Sequence, residues 1–176
     1  CDPNPTCTGV DFTPPTNGCG PYNFNASLTG AYIFTPTWDF GDGNGATGTS
    51  VTHTYDDSGY YYVRLSAFDA NGDRCSVVKQ VIVLHVPDFI AEYTCPGNSI
   101  EVQLLNQTDF IDPATPLSFN WTFPGGSSTL ENPVVGGLPS GLNNVSQVVT
   151  GGGATCTITD AIDVPAPVVS GFTAND

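Results

Sequence analysis

The chain has 176 residues, of which seventeen are acidic and only three are basic, so its formal net charge is -14. Nucleic acids and anionic membranes bind clustered Lys and Arg, so this composition argues against both as partners and leaves solubility or cation binding to explain the acidity. Twenty glycines, fifteen prolines and the lack of a sustained helical apolar period predict an all-β protein with short strands and many turns.

Six strands are predicted in the first half of the chain. They cover approximately residues 10–13, 22–28, 35–40, 50–55, 60–68 and 76–86. Within the strand 60–68 the side chains alternate between two faces of a pleated sheet. The inward set is Tyr61, Val63, Leu65 and Ala67. The outward set includes Tyr60, Tyr62, Arg64, Ser66 and Phe68.

Outward aromatic side chains make the strand 60–68 a candidate partner surface. Exposed aromatic rings can stack on sugars or anchor a protein. The candidate residues are Tyr60, Tyr62, Arg64 and Phe68. The alternative is that an adjacent strand, the loop with Tyr32 and Phe34, or the neighbouring domain covers them.

The second half of the chain repeats landmarks of the first. Phe12 and Trp38 recur as Phe89 and Trp121, with a period of about eighty residues. The repeat predicts two antiparallel β-sandwiches with a boundary at Val86–Pro87. We expect residues 1–9 to be a linker or the end of a preceding repeat, 10–86 the first domain, 87–168 the second domain, and 169–176 the start of a third repeat.

Six cysteines without metal-type spacing indicate disulfides and an oxidising compartment. In the repeat, Cys19 and Cys75 correspond to Cys95 and Cys156, so we expect the disulfides Cys19–Cys75 and Cys95–Cys156. Each would stabilise its domain by about 4 kcal/mol. The remaining two either form a local Cys1–Cys7 bond, or Cys1 is the remnant of a partner in a missing preceding module.

Neither an initiator Met nor a signal peptide opens the sequence, and no apolar run approaches the length of a membrane-spanning helix. We therefore expect an excised piece of a longer exported protein, without direct membrane insertion.

Three segments of the first half form a recognisable set. They are WDFGDG at 38–43, HTY at 53–55, and GYYYVRLSAFD at 59–69. Together they resemble the polycystic kidney disease (PKD) domain, an immunoglobulin-like β-sandwich, over residues 10–86. The last segment matches the family pattern G-x-Y-x-V-x-L-x-V-x-D except that Ala67 replaces Val.

The second half carries a different form of the motif. NWTFPGG at 120–126 and ENPVV at 131–135 are similar to PKD-like repeats of large exported Bacteroidetes proteins. The HTY and G-x-Y-x-V segments are absent, so residues 136–149 must build the later strands differently. The resemblance points to giant surface adhesins of the type IX secretion route, including those used in gliding motility.

The resemblance implies a non-catalytic extracellular module, secreted or at a bacterial cell surface. Its expected role is a structural stalk and an adhesive surface that binds carbohydrate or protein. The expected partners are neighbouring repeats of the same chain, and a surface polysaccharide or another cell-surface protein. Two alternatives stay open: an accessory region of a secreted polysaccharide- or protein-degrading enzyme, and a self-assembling filament subunit.

No cofactor is required by the resemblance, although it admits Ca²⁺. Calcium-binding PKD domains resemble one another in an acidic loop before the Trp strand and an Asp that ends the later strand. In the first copy Asp69 matches that Asp, but the loop has no carboxylate. In the second copy Asp109 and Asp112 lie in the loop, but the later strand lacks its Asp. Neither copy holds the full set.

Acid–base catalysis is the last candidate chemistry. Asp39 and Asp42 lie three residues apart at a strand end, where Asp commonly accepts hydrogen bonds from turn backbone. We expect them to be structural, and we expect His53 to hydrogen-bond the same turn. No nucleophile or metalloprotease motif occurs in the sequence, so no enzymatic activity is expected.

Overall fold

The computed structural model describes residues 9–96, 99–111 and 115–167, and every regular element within those ranges is a β-strand. The strands of the first half are β1 Val10–Phe12, β2 Tyr22–Leu28, β3 Thr37–Asp39, β4 Gly45–Thr47, β5 Ser50–His53, β6 Gly59–Phe68, β7 Arg74–Val83 and β8 His85–Val86. Those of the second half are β9 Phe89–Thr94, β10 Glu101–Asn106, β11 Asp109–Phe110, β12 Ser118–Phe123, β13 Gly126–Ser128, β14 Val134–Gly136, β15 Gly141–Gly151 and β16 Ala154–Val164.

The chain forms two compact units. Unit 1 comprises Cys1–Val86 and Asp109–Pro113, and unit 2 comprises Pro87–Thr108 and Ala114–Asp176. Strand β11 belongs to unit 1 because it pairs antiparallel with β8. The sequence repeat does not predict that a segment of the second half of the chain pairs with a strand of unit 1. The expected third repeat at 169–176 lies outside the described residues.

Unit 1 contains two antiparallel sheets that share one core. Their strand orders are β1-β2-β5 and β4-β3-β6-β7. Trp38 lies at the centre, with its ring centroid 5.2 Å from Phe12 and 5.6 Å from Phe24. Its indole N–H donates to the carbonyl of Gly48 at 2.8 Å, so the buried polar atom is satisfied.

Unit 2 repeats this arrangement with sheets β14-β10-β9 and β13-β12-β15-β16. Trp121 is fully buried, its ring centroid lies 5.2 Å from that of Phe89, and its indole donates to the carbonyl of Leu130 at 2.9 Å. The Phe and Trp landmarks of the repeat therefore make equivalent core contacts in both units. The expected all-β fold with antiparallel immunoglobulin-like sandwiches is confirmed.

Residues 136–149 build the later strands of unit 2 with one long hairpin. β15 pairs with β12 on one side and with β16 along its whole length on the other. Val145, Gln147 and Val149 face the core, and all three are fully buried. The amide of Gln147 donates to Asn106 Oδ1 at 2.8 Å, which ties β15 to β10 in the opposite sheet.

Both predicted long-range disulfide pairings are wrong. Cys95 is a free, exposed thiol one residue beyond β9, whereas Cys156 is buried in β16 and is disulfide-bonded, so Cys95–Cys156 does not form. Cys19 and Cys75 are also disulfide-bonded. Gly18 bridges Val83 at one end of β7, and Cys75 lies near the other end of that strand, roughly 25 Å away.

A disulfide requires Cα atoms about 4.4 to 6.8 Å apart, so the geometry excludes the Cys19–Cys75 bond. The predicted Cys1–Cys7 pair lies outside the described residues.

Candidate binding face

The four-stranded sheet of unit 1 presents an exposed face with β6 as an internal strand. Tyr60 is 60% exposed, Tyr62 is 63% exposed, and Phe68 at the end of the strand is 36% exposed. Alternate residues of a strand lie on the same face about 7 Å apart. We call the surface formed by Tyr60, Tyr62, Arg64, Phe68, Phe34, Asp39, Arg74, Val78 and Gln80 the aromatic face.

The inward side of β6 fixes the register in which β6 pairs with β3 and β7. Val63, Leu65 and Ala67 are buried in the core of unit 1, and Tyr61 packs against that core. A shift by one residue would move this whole set into solvent. The core therefore holds Tyr60 and Tyr62 on the outward side.

Strand β7 adds residues that the sequence does not single out. Gln80 lies opposite Tyr62, and its amide donates to the Tyr62 hydroxyl at 3.4 Å. Val78 lies opposite Arg64 and is exposed. Their alternation with the inward residues of β7 is visible in the sequence, but only the cross-strand register shows which of them adjoin the tyrosines.

Ser66 was expected to be exposed, yet it is buried. It points outward from β6, but the guanidinium of Arg74 lies against it and donates to its hydroxyl at 3.0 Å. Arg74 stands opposite Phe68 at the end of the β6–β7 ladder. The polar part of the face therefore extends from Arg64 to Arg74.

The loop before β3 meets the aromatic face at Phe68. Phe34 is exposed and packs edge-to-face on Phe68, with ring centroids 6.0 Å apart. The backbone N–H of Ile33 donates to the carbonyl of Phe68 at 3.1 Å and fixes the loop there. The loop therefore adds a ring beside Phe68, while Tyr60 and Tyr62 remain exposed.

A cation and an anion lie side by side at the centre of the face. Arg64 is the cross-strand neighbour of Asp39 in β3, and both are exposed. The Asp39 carboxylate accepts the N–H of Gly41 at 3.0 Å. Within the ranges that the structure describes, Arg64 forms no ion pair.

Asp42 and His53 form a polar cluster at the turn after β3. Asp42 Oδ2 lies 2.7 Å from His53 Nε2, and its Oδ1 accepts the N–H of Asn44 at 2.9 Å. The His53 ring stacks on Phe40 with centroids 4.0 Å apart. As expected, His53 bonds the turn; the cluster joins the segment 38–43 to β5.

The pKa shift of Asp42 shows that its hydrogen bonds stabilise the charged carboxylate, as expected for a structural role. Burial raises the pKa of Asp42, but hydrogen bonds from Asn44 and His53 outweigh burial and hold that pKa below its ordinary value of 3.8. Burial, followed by the nearby Asp42 carboxylate, raises the pKa of the Tyr55 hydroxyl. That hydroxyl donates to the carbonyl of Phe40 at 3.1 Å.

The candidate calcium ligands are engaged in loop hydrogen bonds. Asp69 Oδ1 accepts the N–H groups of Asn71 and Asp73, each at 2.9 Å. Asp109 lies in β11, and its carboxylate accepts the N–H of Ser58 at 2.6 Å. Asp112 lies outside the described residues. Across the described part of the chain, no three His, Cys, Asp or Glu side chains group as a metal site.

Comparison with known proteins finds one family model that matches the first half of the chain. Residues 3–84 match the family model described as PKD domain. The match supports the resemblance drawn from the segments at 38–43, 53–55 and 59–69. No curated protein matches the sequence.

Three solved structures that are similar to the chain each share 15% identity with it. The fibronectin(III)-like modules of Clostridium thermocellum CbhA cover 89% of this chain and 94% of their own, with a TM-score of 0.38. Carbohydrate-binding modules of the β-sandwich superfamily cover 89% and 84%, with a TM-score of 0.36. An amphioxus IgVJ-C2 molecule covers 82% and 96%, with a TM-score of 0.29. These TM-scores are too low to bear on function.

The described segments contain no helix with the length and apolar character needed to cross a membrane.

Proposed function

We propose that this chain is a non-catalytic extracellular repeat module whose aromatic face binds a partner outside the cell. The observation that carries the proposal is the exposure of Tyr60 and Tyr62, side by side on one sheet of unit 1, although neighbouring aromatic residues such as Phe12, Phe24 and Trp38 are buried in the core. Scattered exposed apolar residues are common, but adjacent aromatic rings on one face are typical of interaction sites.

The aromatic face is held by regular secondary structure. β6 pairs with β7 over all ten of its residues and with β3 at Arg64, Leu65 and Ser66. Side chains carried by such a strand lose little backbone freedom on binding, which lowers the entropic cost of association. This rigidity favours recognition over a purely spacing role for the first domain.

The cysteines support an extracellular location. Cys19, Cys75 and Cys156 are disulfide-bonded, and such bonds persist in oxidising environments outside the cytoplasm. The match to a PKD domain over residues 3–84 is consistent with an exported protein. We further propose that the chain is part of a large cell-surface adhesin of the type IX route; the repeated Phe–Trp core and the motif at 120–126 support this.

A binding role also agrees with the state of the acidic residues in the turn. The carboxylates of Asp39 and Asp42 accept backbone N–H groups of that turn, and Asp42 additionally bonds His53. These hydrogen bonds use the carboxylates of Asp39 and Asp42 to stabilise the turn. We therefore assign no catalytic role to the turn 38–43.

The test is an adhesion assay with the double substitution Tyr60→Ser and Tyr62→Ser. Beads coated with the chain are applied to surfaces of immobilised polysaccharides and of bacterial and animal cells. Two exposed aromatic contacts contribute up to about 3 kcal/mol, so we expect adhesion to weaken by about tenfold or more. Leu142→Ser in unit 2 is the matched control, because Leu142 is 77% exposed and lies on β15.

Both variants should keep the circular dichroism of the parent chain, since exposed positions usually change stability by less than about 0.5 kcal/mol. Equal adhesion by the tyrosine variant and the parent chain on every surface would overturn the proposal.

A further inference from the structure

We infer that the aromatic face binds a neutral polysaccharide that lies along β6. The inference rests on the proposed function, since it names the class of partner for the same surface. Three features carry it: the spacing of the rings, the presence of charges of both signs, and the mixture of hydrogen-bond donors and acceptors between the rings.

The rings form a track in the direction of the strand. Tyr60 and Tyr62 are two residues apart on β6, which sets their Cα atoms about 7 Å apart. Phe68 lies six residues beyond Tyr62, roughly 20 Å further along, and Phe34 packs against it. A track of roughly 27 Å on a sheet surface suits an extended polymer that contacts it at successive positions.

The face carries charges of both signs: Arg64 and Arg74 are cationic, and Asp39 is anionic. Arg64 and Asp39 are cross-strand neighbours, so a polyanion would meet the carboxylate and a polycation would meet the guanidinium. The whole chain carries a formal charge of -14, which further disfavours an anionic polymer. A neutral partner incurs neither repulsion.

The polar groups between the rings match hydroxyl groups. A sugar hydroxyl both donates and accepts, and the face offers a donor at Arg64, an acceptor at Asp39, and both functions at Gln80 and Tyr62. The Arg64 guanidinium makes no ion pair within the described residues, and Asp39 has a second carboxylate oxygen beyond the one that Gly41 engages. Both therefore retain hydrogen-bonding capacity for a ligand.

The experiment measures binding of defined oligosaccharides to the full chain by isothermal titration calorimetry. The neutral probes are cellohexaose, chitohexaose, xylohexaose and mannohexaose, and the acidic probe is hexagalacturonate. We expect at least one neutral probe to bind, with affinity unchanged within about twofold between about 50 and about 500 mM NaCl. Tyr60→Ser with Tyr62→Ser should weaken it about tenfold or more, and Leu142→Ser should not.

Arg64→Gln separates neutral from acidic recognition. Gln keeps a hydrogen-bond donor without the charge, so neutral binding should fall only about two- to fivefold. Tighter binding of hexagalacturonate than of every neutral probe, abolished by Arg64→Gln and by salt, would overturn the neutral class.

Failure of every sugar to bind would also overturn the inference. If the tyrosine variant still loses adhesion to cells in that case, the partner is a protein and the proposed function stands. If the tyrosine variant adheres like the parent chain, the proposed function falls as well.

Discussion

Replacing Asp42 by Asn removes one charge from the polar cluster that joins the turn 38–43 to β5. In the folded protein the carboxylate receives His53 Nε2 at 2.7 Å and the backbone and side-chain N–H groups of Asn44 at 2.9 and 3.2 Å. The side chains of His53 and Asp42 are only 12% and 15% exposed. The substitution therefore perturbs a partly buried pair while conserving its shape.

The size of the effect follows from these contacts. A hydrogen bond to a charged group contributes about 1.5 to 3 kcal/mol, and Asn retains an oxygen that can accept the Asn44 N–H. We therefore expect a loss of about 1 to 2 kcal/mol from unit 1, equivalent to about 5- to 30-fold faster exchange of its globally protected amides. The melting temperature of unit 1 should fall by about 5 to 15 °C.

Hydrogen exchange with peptide resolution is the assay, because it reports the two units separately. Peptides from β3, β5 and β6 should exchange faster in Asp42→Asn, whereas those from β12 and β15 of unit 2 serve as the internal reference. Asp39→Asn is the matched control: Asp39 lies in the same turn, is exposed, and accepts one N–H from Gly41. Its effect should stay below about 0.5 kcal/mol.

The pH dependence gives the sharper test. Because the folded-state pKa of Asp42 lies below its ordinary value of 3.8, its stabilisation is complete above that value and is lost as pH falls through the folded-state pKa. The difference in melting temperature between the parent chain and Asp42→Asn should therefore shrink between about pH 5 and about pH 2. A difference that stays constant over this range, or an equal loss in Asp39→Asn, would refute the reasoning.

Two further predictions concern the backbone and the thiol. Gly41 and Gly43 both have positive φ, but a Cβ at Gly41 would lie 3.0 Å from the backbone of β6, whereas Gly43 has open space. Gly43→Ala should cost about 1 kcal/mol and Gly41→Ala at least about 2 kcal/mol in urea unfolding, and equal costs would contradict the role of the close approach. Cys95 should react with maleimide in the native protein, and Cys95→Ser should leave the melting temperature unchanged; a protected thiol or a large loss would show that Cys95 is bonded.

Much of the fold is predictable because large aromatic residues recur at a fixed period. Phe12 with Trp38, and Phe89 with Trp121, are the centres of the two cores, and alternation predicts the inward side of β6. Strand β4 has the sequence Gly-Ala-Thr, which lacks any alternation of apolar and polar residues, so pattern alone does not reveal it.

Long-range pairing is where sequence reasoning fails in this chain. Correspondence between repeats does not encode which strand ends lie together, so it paired Cys19 with Cys75 although they adjoin opposite ends of β7. It also assigned Asp109 to the second domain, whereas β11 pairs with β8 of unit 1. These contacts depend on the path of connections between strands, which the periodicity of the residues does not determine.

The aromatic face is predictable in part for the same reason. Alternation along β6 points Tyr60 and Tyr62 outward, because a strand has only two faces. Which outward residues remain accessible depends on side chains from distant positions. Arg74 buries Ser66, and Phe34 packs on Phe68, and neither contact has a local sequence signal.

Lys79, the single lysine of the chain, has a mechanical consequence. Its ammonium lies 2.6 Å from both Asp11 Oδ1 and the carbonyl oxygen of Phe12, and 5.5 Å above the Phe12 ring. It thereby fastens β7 to β1, strands of opposite sheets that lie near the two ends of the first domain in sequence. Tension applied to this domain along the chain would act on these contacts of Lys79 at an early stage of unfolding. Chemical modification of the Lys79 amine would therefore lower the force needed to unfold the domain while leaving the aromatic core in place.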